Sequence, residues 1–324
     1  MRKLILRSTH CAGDTVMLTA AIRDLHACYP NQFMTDVRTM HPELWENNPH
    51  LTPLREDKGT VEVIDCECPL IDLANQRPHH YLEGFIDFLN KRLGIHVELT
   101  AFKGDLHLSF AEKANLPGVG DMKRNDDTFW ILVAGGKRDF TIKWWDAHRY
   151  QEVVDHFRGR IQFVQIGAEG AYHPRIDGAI DLRGKTSLRQ LIQLVYHSQG
   201  VLCPVTFVMH LAAAVEMKYN HPRNRPCVVV AGGREPPHWE AYPHHQFIHT
   251  VGALRCCERG GCWRYRTVAL GDGEFYDRAE FLCVDVVNGL PRCMDMVSAE
   301  DVIRRIEMYF QGGALAYSAA LQSA

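Results

Sequence analysis

The chain has 324 residues, a length that suits two domains or one large one. With 46% hydrophobic and 23% charged residues it has an average globular composition, which excludes a disordered, collagen-like or coiled-coil chain. The net charge of −3 excludes bulk attraction to nucleic acid or anionic membrane. No apolar run approaches the ~20 residues of a membrane helix, and Arg7 and His10 come too early for a signal peptide, so a cytoplasmic protein is expected.

Residues 3–6 (KLIL) predict a buried strand. A turn with Gly13 and Asp14 follows, and then Val16, Met17, Ala20, Ala21 and Leu25 recur at helical spacing. Residues 35–39 and 61–65 predict the next strands, and 81–93 a helix ended by Gly94. The stretch 117–127 (PGVGDMKRNDD) has the composition of a linker.

A second alternation follows, with strands at 129–136, 161–167, 201–205 and 226–233 and helices at 148–157, 185–200 and 210–215. The chain closes on a helix at 298–310, with Ser298 and Asp301 as a capping box and Val302, Ile306, Tyr309 and Phe310 as its buried stripe. Alternating strands and helices predict parallel sheets covered on both faces, here in two doubly wound units: 1–122, 123–312, and a tail 313–324.

In open α/β sheets ligands bind beyond the carboxyl ends of the strands, so the residues just after each strand are the candidates. Gly13 lets the backbone approach a ligand, and Asp14 fits either a helix cap or a general base at a cleft. AGGKRDFTIKWW (134–145) sets Lys137, Arg138 and Lys143 beside a helix start, which suits a phosphate, though solvated basic loops are as common. Glu169, in IGAEG, could hold ribose hydroxyls or stand idle on the surface. Thr206 and His210 could face the same cleft, and His210 could equally be a core histidine. GAIDLRGKTS (178–187) is not a P-loop, because five residues rather than four separate Gly178 and Gly184.

Eleven cysteines in a chain without an export signal do not suggest disulfides. Five of them cluster at Cys256, Cys257, Cys262, Cys283 and Cys293, enough thiols for a tetrahedral zinc or iron site made of Cys262, Cys283, Cys293 and one of the adjacent pair, here assigned as Cys257. Its role would be structural, pinning the irregular segment 255–297.

GDTVMLTAAIRDL (13–25), IKWWDAHRYQEVVDHF (142–157), IGAEG (166–170) and LRGKTSLRQLIQLVYHSQGVLCPVTFVMHLAAAV (182–215) together resemble glycosyltransferase family 9, the ADP-heptose:lipopolysaccharide heptosyltransferases. RCMDMVSAEDVIRRI (292–306) resembles the ending of many members. The resemblance implies an α/β fold of two Rossmann-like domains facing a cleft (GT-B), with inverting sugar transfer from an ADP-sugar-type donor and no catalytic metal. By the same resemblance Asp14 would be the base, Lys143 the phosphate ligand and Glu169 the ribose ligand, with Thr206, His210 and Gly13 near the donor. Protein-glycosylating relatives carry a four-cysteine iron site, which favours a metal here.

Where the family reads Asp-Thr/Ser-Gly before HLAAA, this chain has Val205, Thr206 and Phe207. The implied partners are a nucleotide-sugar donor and a saccharide, protein or small-molecule acceptor, with no nucleic acid and no integral membrane association. An epimerase or hydrolase acting on the nucleotide sugar, and a non-catalytic sugar-nucleotide or metal-binding adaptor, fit the same residues.

Overall fold

The structure, a computed structural model, describes residues 1–56, 59–67, 74–117, 128–218 and 224–317. The expected linker is therefore outside the described residues from 118 to 127, and so is the boundary at 122.

In the first half, β1 (Arg2–Ser8) lies between β2 (Phe33–Thr39) and β3 (Glu62–Asp65) in a parallel sheet of order β2-β1-β3. Leu4, Ile5 and Leu6 are fully buried, as a strand covered on both faces requires. α1 (Ala12–Cys28) leaves β1 after a three-residue turn. α2 (Leu82–Leu93) ends at Gly94, whose φ of 66° is the left-handed stop expected of it. α3 (Phe110–Ala114) is capped reciprocally by Ser109 and Glu112.

The second half is a six-stranded parallel sheet of order β6-β5-β4-β7-β8-β9. Its elements are β4 (Phe129–Leu132), α4 (Ala147–His156), β5 (Gln162–Gln165), β6 (Ile180–Asp181), α5 (Leu188–His197), β7 (Gly200–Pro204), α6 (Phe207–Ala214), β8 (Cys227–Gly232), α7 (Pro237–Glu240) and β9 (His245–His249). Three of these differ from the sequence expectation: α6 begins at Phe207 rather than residue 210, and β6 and β9 are additional strands. β6 has only two residues, and β9 carries His245 and His249 in place of an apolar run.

Beyond a small hairpin of β10 (Val286–Val287) and β11 (Leu290–Pro291), α8 (Arg292–Asp295) leads to α9 (Ala299–Gln311). Ser298 and Asp301 form the expected capping box. Val302, Ile303 and Ile306 are buried, whereas Tyr309 and Phe310 are half-buried: the Tyr309 hydroxyl bonds the backbone of Cys227 and His244. No helix among the described residues is long and apolar enough to cross a membrane.

One hydrophobic cluster runs through both halves, from Leu4 and Met17 to Val201, Leu211 and Tyr242. α1 and α6 come so close that a Cβ on Gly104 would lie 2.4 Å from Val16 Cγ1 and 3.0 Å from Ala214 Cβ. Tyr81 stacks on Trp239 at 4.6 Å and donates its backbone N–H to the Trp239 carbonyl at 2.8 Å. At the far side Arg189 of α5 forks onto Glu112, with Nη2 2.8 Å from Oε2, and also donates to the carbonyl of His107 at 2.6 Å.

The Arg189 hydrogen bond holds the Glu112 carboxyl at about 2. Because this acid is stronger in the folded chain, its stabilisation is complete above about 4.5 and is lost as pH falls toward 2. Arg189→Met is expected to cost about 1–3 kcal/mol at pH 6 and clearly less at pH 3.5, measured by urea unfolding. An equal cost at both values would show that the carboxylate does not matter.

Candidate functional site

Both sheets have a topological switch point. In the first, the chain leaves β1 toward β2 and returns on the other side as β3. In the second, β5 and β7 flank β4. Crevices open outside the carboxyl ends of the strands at such points. The residues after β1, β4, β7 and β8 gather there.

The turn after β1 carries His10, Cys11, Gly13 and Asp14. Asp14 is the third residue of α1, and its Oδ2 accepts the Cys11 backbone N–H at 3.2 Å in a capping box. It is thus both a helix cap and a cleft carboxylate. Burial pushes its pKa up, the Cys11 hydrogen bond and His10 push it down, and the nearby Glu240 carboxyl pushes it up again. Gly13 faces the neighbouring half: a Cβ there would sit 3.5 Å from the His210 ring.

After β4 the chain turns at Gly135, whose φ is 91° and whose Cβ would strike the Tyr172 carbonyl at 2.1 Å, so only glycine fits. Two tight turns over residues 138–143 then carry Lys143 inward, while Lys137 and Arg138 stay exposed. The loop is anchored by Thr141, which accepts the Thr267 backbone N–H on its hydroxyl at 2.8 Å and the Thr267 hydroxyl on its carbonyl at 3.1 Å. Lys143 Nζ lies 2.6 Å from Glu235 Oε1. Burial and the Arg234 guanidinium pull its pKa down to about 7, and Glu240, Cys11 and Asp14 pull it back up. Asp14, from the other sheet, is thus among the carboxyls that favour the Lys143 ammonium.

After β7, Thr206 is the N-cap residue of α6 but does not use its side chain as a cap; its Oγ1 is buried with no partner among the described residues. His210, in the first turn of α6, is 4% exposed, with Nδ1 2.9 Å from the Tyr242 hydroxyl. Burial and Lys143 hold its pKa at about 3, so it is neutral. Val205 is buried and Phe207 packs on the core. Glu169 stands apart from this group, exposed in the loop after β5 with its Cβ 3.9 Å from where a Gly184 Cβ would be.

Three site residues escaped the sequence reading: Arg234, Glu235 and Glu240, all following β8 and all buried. The carboxyl-end rule applied to the other strands would have found them in GGREPPHWE. Glu235 Oε1 is shared by Lys143 and by Arg234 Nη1, while Oε2 of Glu235 and Oε2 of Glu240 have no partner among the described residues. The Arg234 guanidinium is fixed between Phe140, Trp263 and Tyr265 at 5.1–5.6 Å, and its Nε donates to the Arg264 carbonyl at 2.6 Å.

Of the expected metal ligands, burial raises the pKa of Cys262, Cys283 and Cys293, and neighbouring thiols add to it at Cys262 (Cys283) and at Cys293 (Cys262, Cys283 and Cys256); Cys293 reaches about 12. Cys257 Sγ lies 3.4 Å from the Leu254 carbonyl and 3.6 Å from that of Thr250, and Cys283 Sγ lies 3.2 Å from the Asp285 carbonyl, so these contacts do not choose between Cys256 and Cys257. Among the described residues no group of three or more His, Cys, Asp or Glu is disposed to hold an ion. The donor chemistry fits zinc or iron, but the ligand shell is not closed.

Residues 103–248 match the family model of glycosyltransferase family 9 (heptosyltransferase). No curated protein matches the chain. Among solved structures it resembles a family 9 glycosyl transferase from Veillonella parvula, at 14% identity over 96% of this chain and 98% of that one, TM-score 0.66. It also resembles the ADP-heptose lps heptosyltransferase II of E. coli, at 14% identity over 97% and 100%, TM-score 0.60. A third is TibC, an iron-containing dodecameric glycosyltransferase of enterotoxigenic E. coli, at 14% identity over 97% and 78%, TM-score 0.64. At that identity the likeness establishes the α/β fold with its parallel sheets.

The histidines of this region give a pH signature. Burial lowers His80 and His210 to about 3 and His244 to about 4. A base weakened by folding stabilises fully above its unfolded value of 6.5 and loses that stabilisation as pH falls toward 3–4, by at most about 1.4 kcal/mol per pH unit per histidine. Urea unfolding is expected to show stability dropping from pH 7 to 5.5, and His210→Gln to reduce the drop. An unchanged slope would mean that His210 takes up its proton as readily folded as unfolded.

Proposed function

We propose that the chain is a glycosyltransferase family 9-like enzyme drawing on a nucleotide-sugar donor, and that it performs an inverting transfer with Asp14 as base and Lys143 as counter-charge to the leaving diphosphate. The observation that carries this reading is the close approach of the turn after β1 to the second sheet's loops, where a Cβ on Gly13, the neighbour of Asp14, would lie 3.5 Å from the His210 ring, whose pKa the Lys143 charge helps to lower. The donor is an ADP-sugar, a heptose or similar, and the acceptor a hydroxyl of a saccharide, protein or small molecule. Residues 1–122 form the acceptor side and 123–312 the donor side.

The acceptor hydroxyl gives its proton to an Asp14 oxygen as its own oxygen bonds to the anomeric carbon, opposite the diphosphate. The bond from that carbon to the diphosphate oxygen breaks, and the electron pair leaves on the diphosphate, where Lys143 offsets the growing charge. His210, held neutral beside Gly13, lines the approach without adding charge. Thr206 Oγ1, buried and without a partner, is available to a donor oxygen, and Glu169, exposed beyond β5, to the ribose hydroxyls. The work of the protein is positioning and charge.

The test begins with a melting series in ADP, UDP, GDP and ADP-heptose. A ligand at 100 times its dissociation constant adds about 2.7 kcal/mol. ADP and ADP-heptose are expected to stabilise the chain. Asp14→Asn is expected to keep that shift while slowing ADP release from ADP-heptose by about 10²–10⁴, and Lys143→Ala to lose both. Full turnover in Asp14→Asn would remove the base assignment.

A structural iron or zinc on Cys262, Cys283, Cys293 and one of the adjacent pair Cys256 and Cys257 is the second element of the proposal, supported by the proximity through which neighbouring thiols raise the pKa of Cys256 and Cys293. It would crosslink 255–297 without entering the reaction. Elemental analysis of the purified protein is expected to give about one iron or zinc per chain, falling in Cys262→Ser. Metal-free protein with an unchanged melting point in chelator would refute it.

A further inference from the structure

Lys143 Nζ and Arg234 Nη1 converge on a single point, and that point is occupied by one oxygen, Glu235 Oε1. Two cations converging on one oxygen form a site for an oxyanion. All three side chains are largely withdrawn from water: Glu235 is 1% and Arg234 7% exposed. Arg234 cannot swing away, because three aromatic rings and the Arg264 carbonyl hold it. Glu235 is tethered less completely, since its Oε2 has no partner among the described residues.

Charge decides what happens when a diphosphate arrives. Lys143 and Arg234 supply two positive charges against the carboxyls of Glu235 and Glu240, with Asp14 close by. A diphosphate entering that crevice meets no net attraction unless one carboxylate yields its place. Glu235 is the one that sits on the convergence point.

We infer that Arg234 is a second ligand of the donor diphosphate beside Lys143, and that Glu235 is a resident counter-anion which the diphosphate displaces. The inference rests on the nucleotide-sugar reading above and adds to it a built-in competitor. Glu235 is the counter-charge that touches both cations, and it sets how tightly a diphosphate must bind to take them over. A nucleoside monophosphate, with one phosphate fewer, has less with which to compete.

Calorimetric titration of the wild-type chain with ADP, UDP and GDP selects the nucleotide, and its monophosphate serves as the control. Glu235→Gln is expected to bind the diphosphate about tenfold tighter, and Arg234→Gln about tenfold weaker, with the monophosphate nearly unchanged in both. Glu235→Gln binding the diphosphate equally or more weakly, or Arg234→Gln leaving the diphosphate-to-monophosphate ratio unchanged, overturns the inference and leaves the donor reading standing. No binding of any diphosphate to the wild type removes the donor reading itself. Should either variant unfold, a crystal of the wild type grown with the diphosphate decides. Lys143 Nζ and Arg234 on phosphate oxygens supports displacement, and an intact Lys143–Glu235 pair refutes it.

Discussion

A lysine ammonium cannot be taken out of water without a counter-charge, and the arrangement of the crevice follows from that constraint. Lys143 is carried inward by two tight turns whose start only glycine can make, at Gly135. Its charge is then met by Glu235 at 2.6 Å, by Glu240, and at longer range by Asp14. Breaking one member of a buried ionic group costs more than the group ever contributed, because the partner is left unpaired. The loops after β1, β4 and β8 are therefore not independent: each brings a charge that another must balance.

Those loops can meet only because the two halves are joined by apolar surface. A single cluster runs from β1 and α1 through α6 to Trp239 and Tyr242, and the contact between α1 and α6 admits nothing larger than Gly104. The same packing explains why the histidines are neutral. His80, His210 and His244 surround or adjoin Tyr242, and the water they would need to hold a proton has been exchanged for rings and aliphatic chains. Hydrophobic closure and the neutrality of His210 are one event seen from two sides.

Most of the frame was legible in the sequence because parallel strands buried on both faces read as unbroken apolar runs, as KLIL and CVVV do. Gly94 and Ser298 marked helix ends by chemistry that acts over a few residues. What did not show was long-range. β9 has no apolar run, because its partner β8 supplies one side and the half-buried Tyr309 caps the other end. The start of α6 was missed because Phe207 reads as a loop aromatic until the core it packs on is known. Asp14, Lys143, Thr206 and His210 were found by position after their strands, yet the pairing of Lys143 with Glu235 joins residues far apart in sequence and has no local signature. Cys256 and Cys257 cannot be told apart by spacing, since adjacent residues stand at nearly the same separation from Cys262, Cys283 and Cys293.

Position 205 carries the chemistry of the site one step further. In the family this chain resembles, the loop before the HLAAA helix offers a carboxylate and a glycine; here Val205 is buried and Phe207 fills core space, so neither can hold a polar ligand. A sugar stripped of water still needs acceptors for its hydroxyls, because each unpaired buried donor costs about 1–3 kcal/mol. The buried oxygens around this crevice without a protein partner among the described residues are Thr206 Oγ1, Glu235 Oε2 and Glu240 Oε2. Two of the three lie beyond β8 rather than β7. The carboxylates of this crevice therefore stand one strand over from the loop that carries an aspartate in the family, beside the Lys143 and Arg234 charges that they balance.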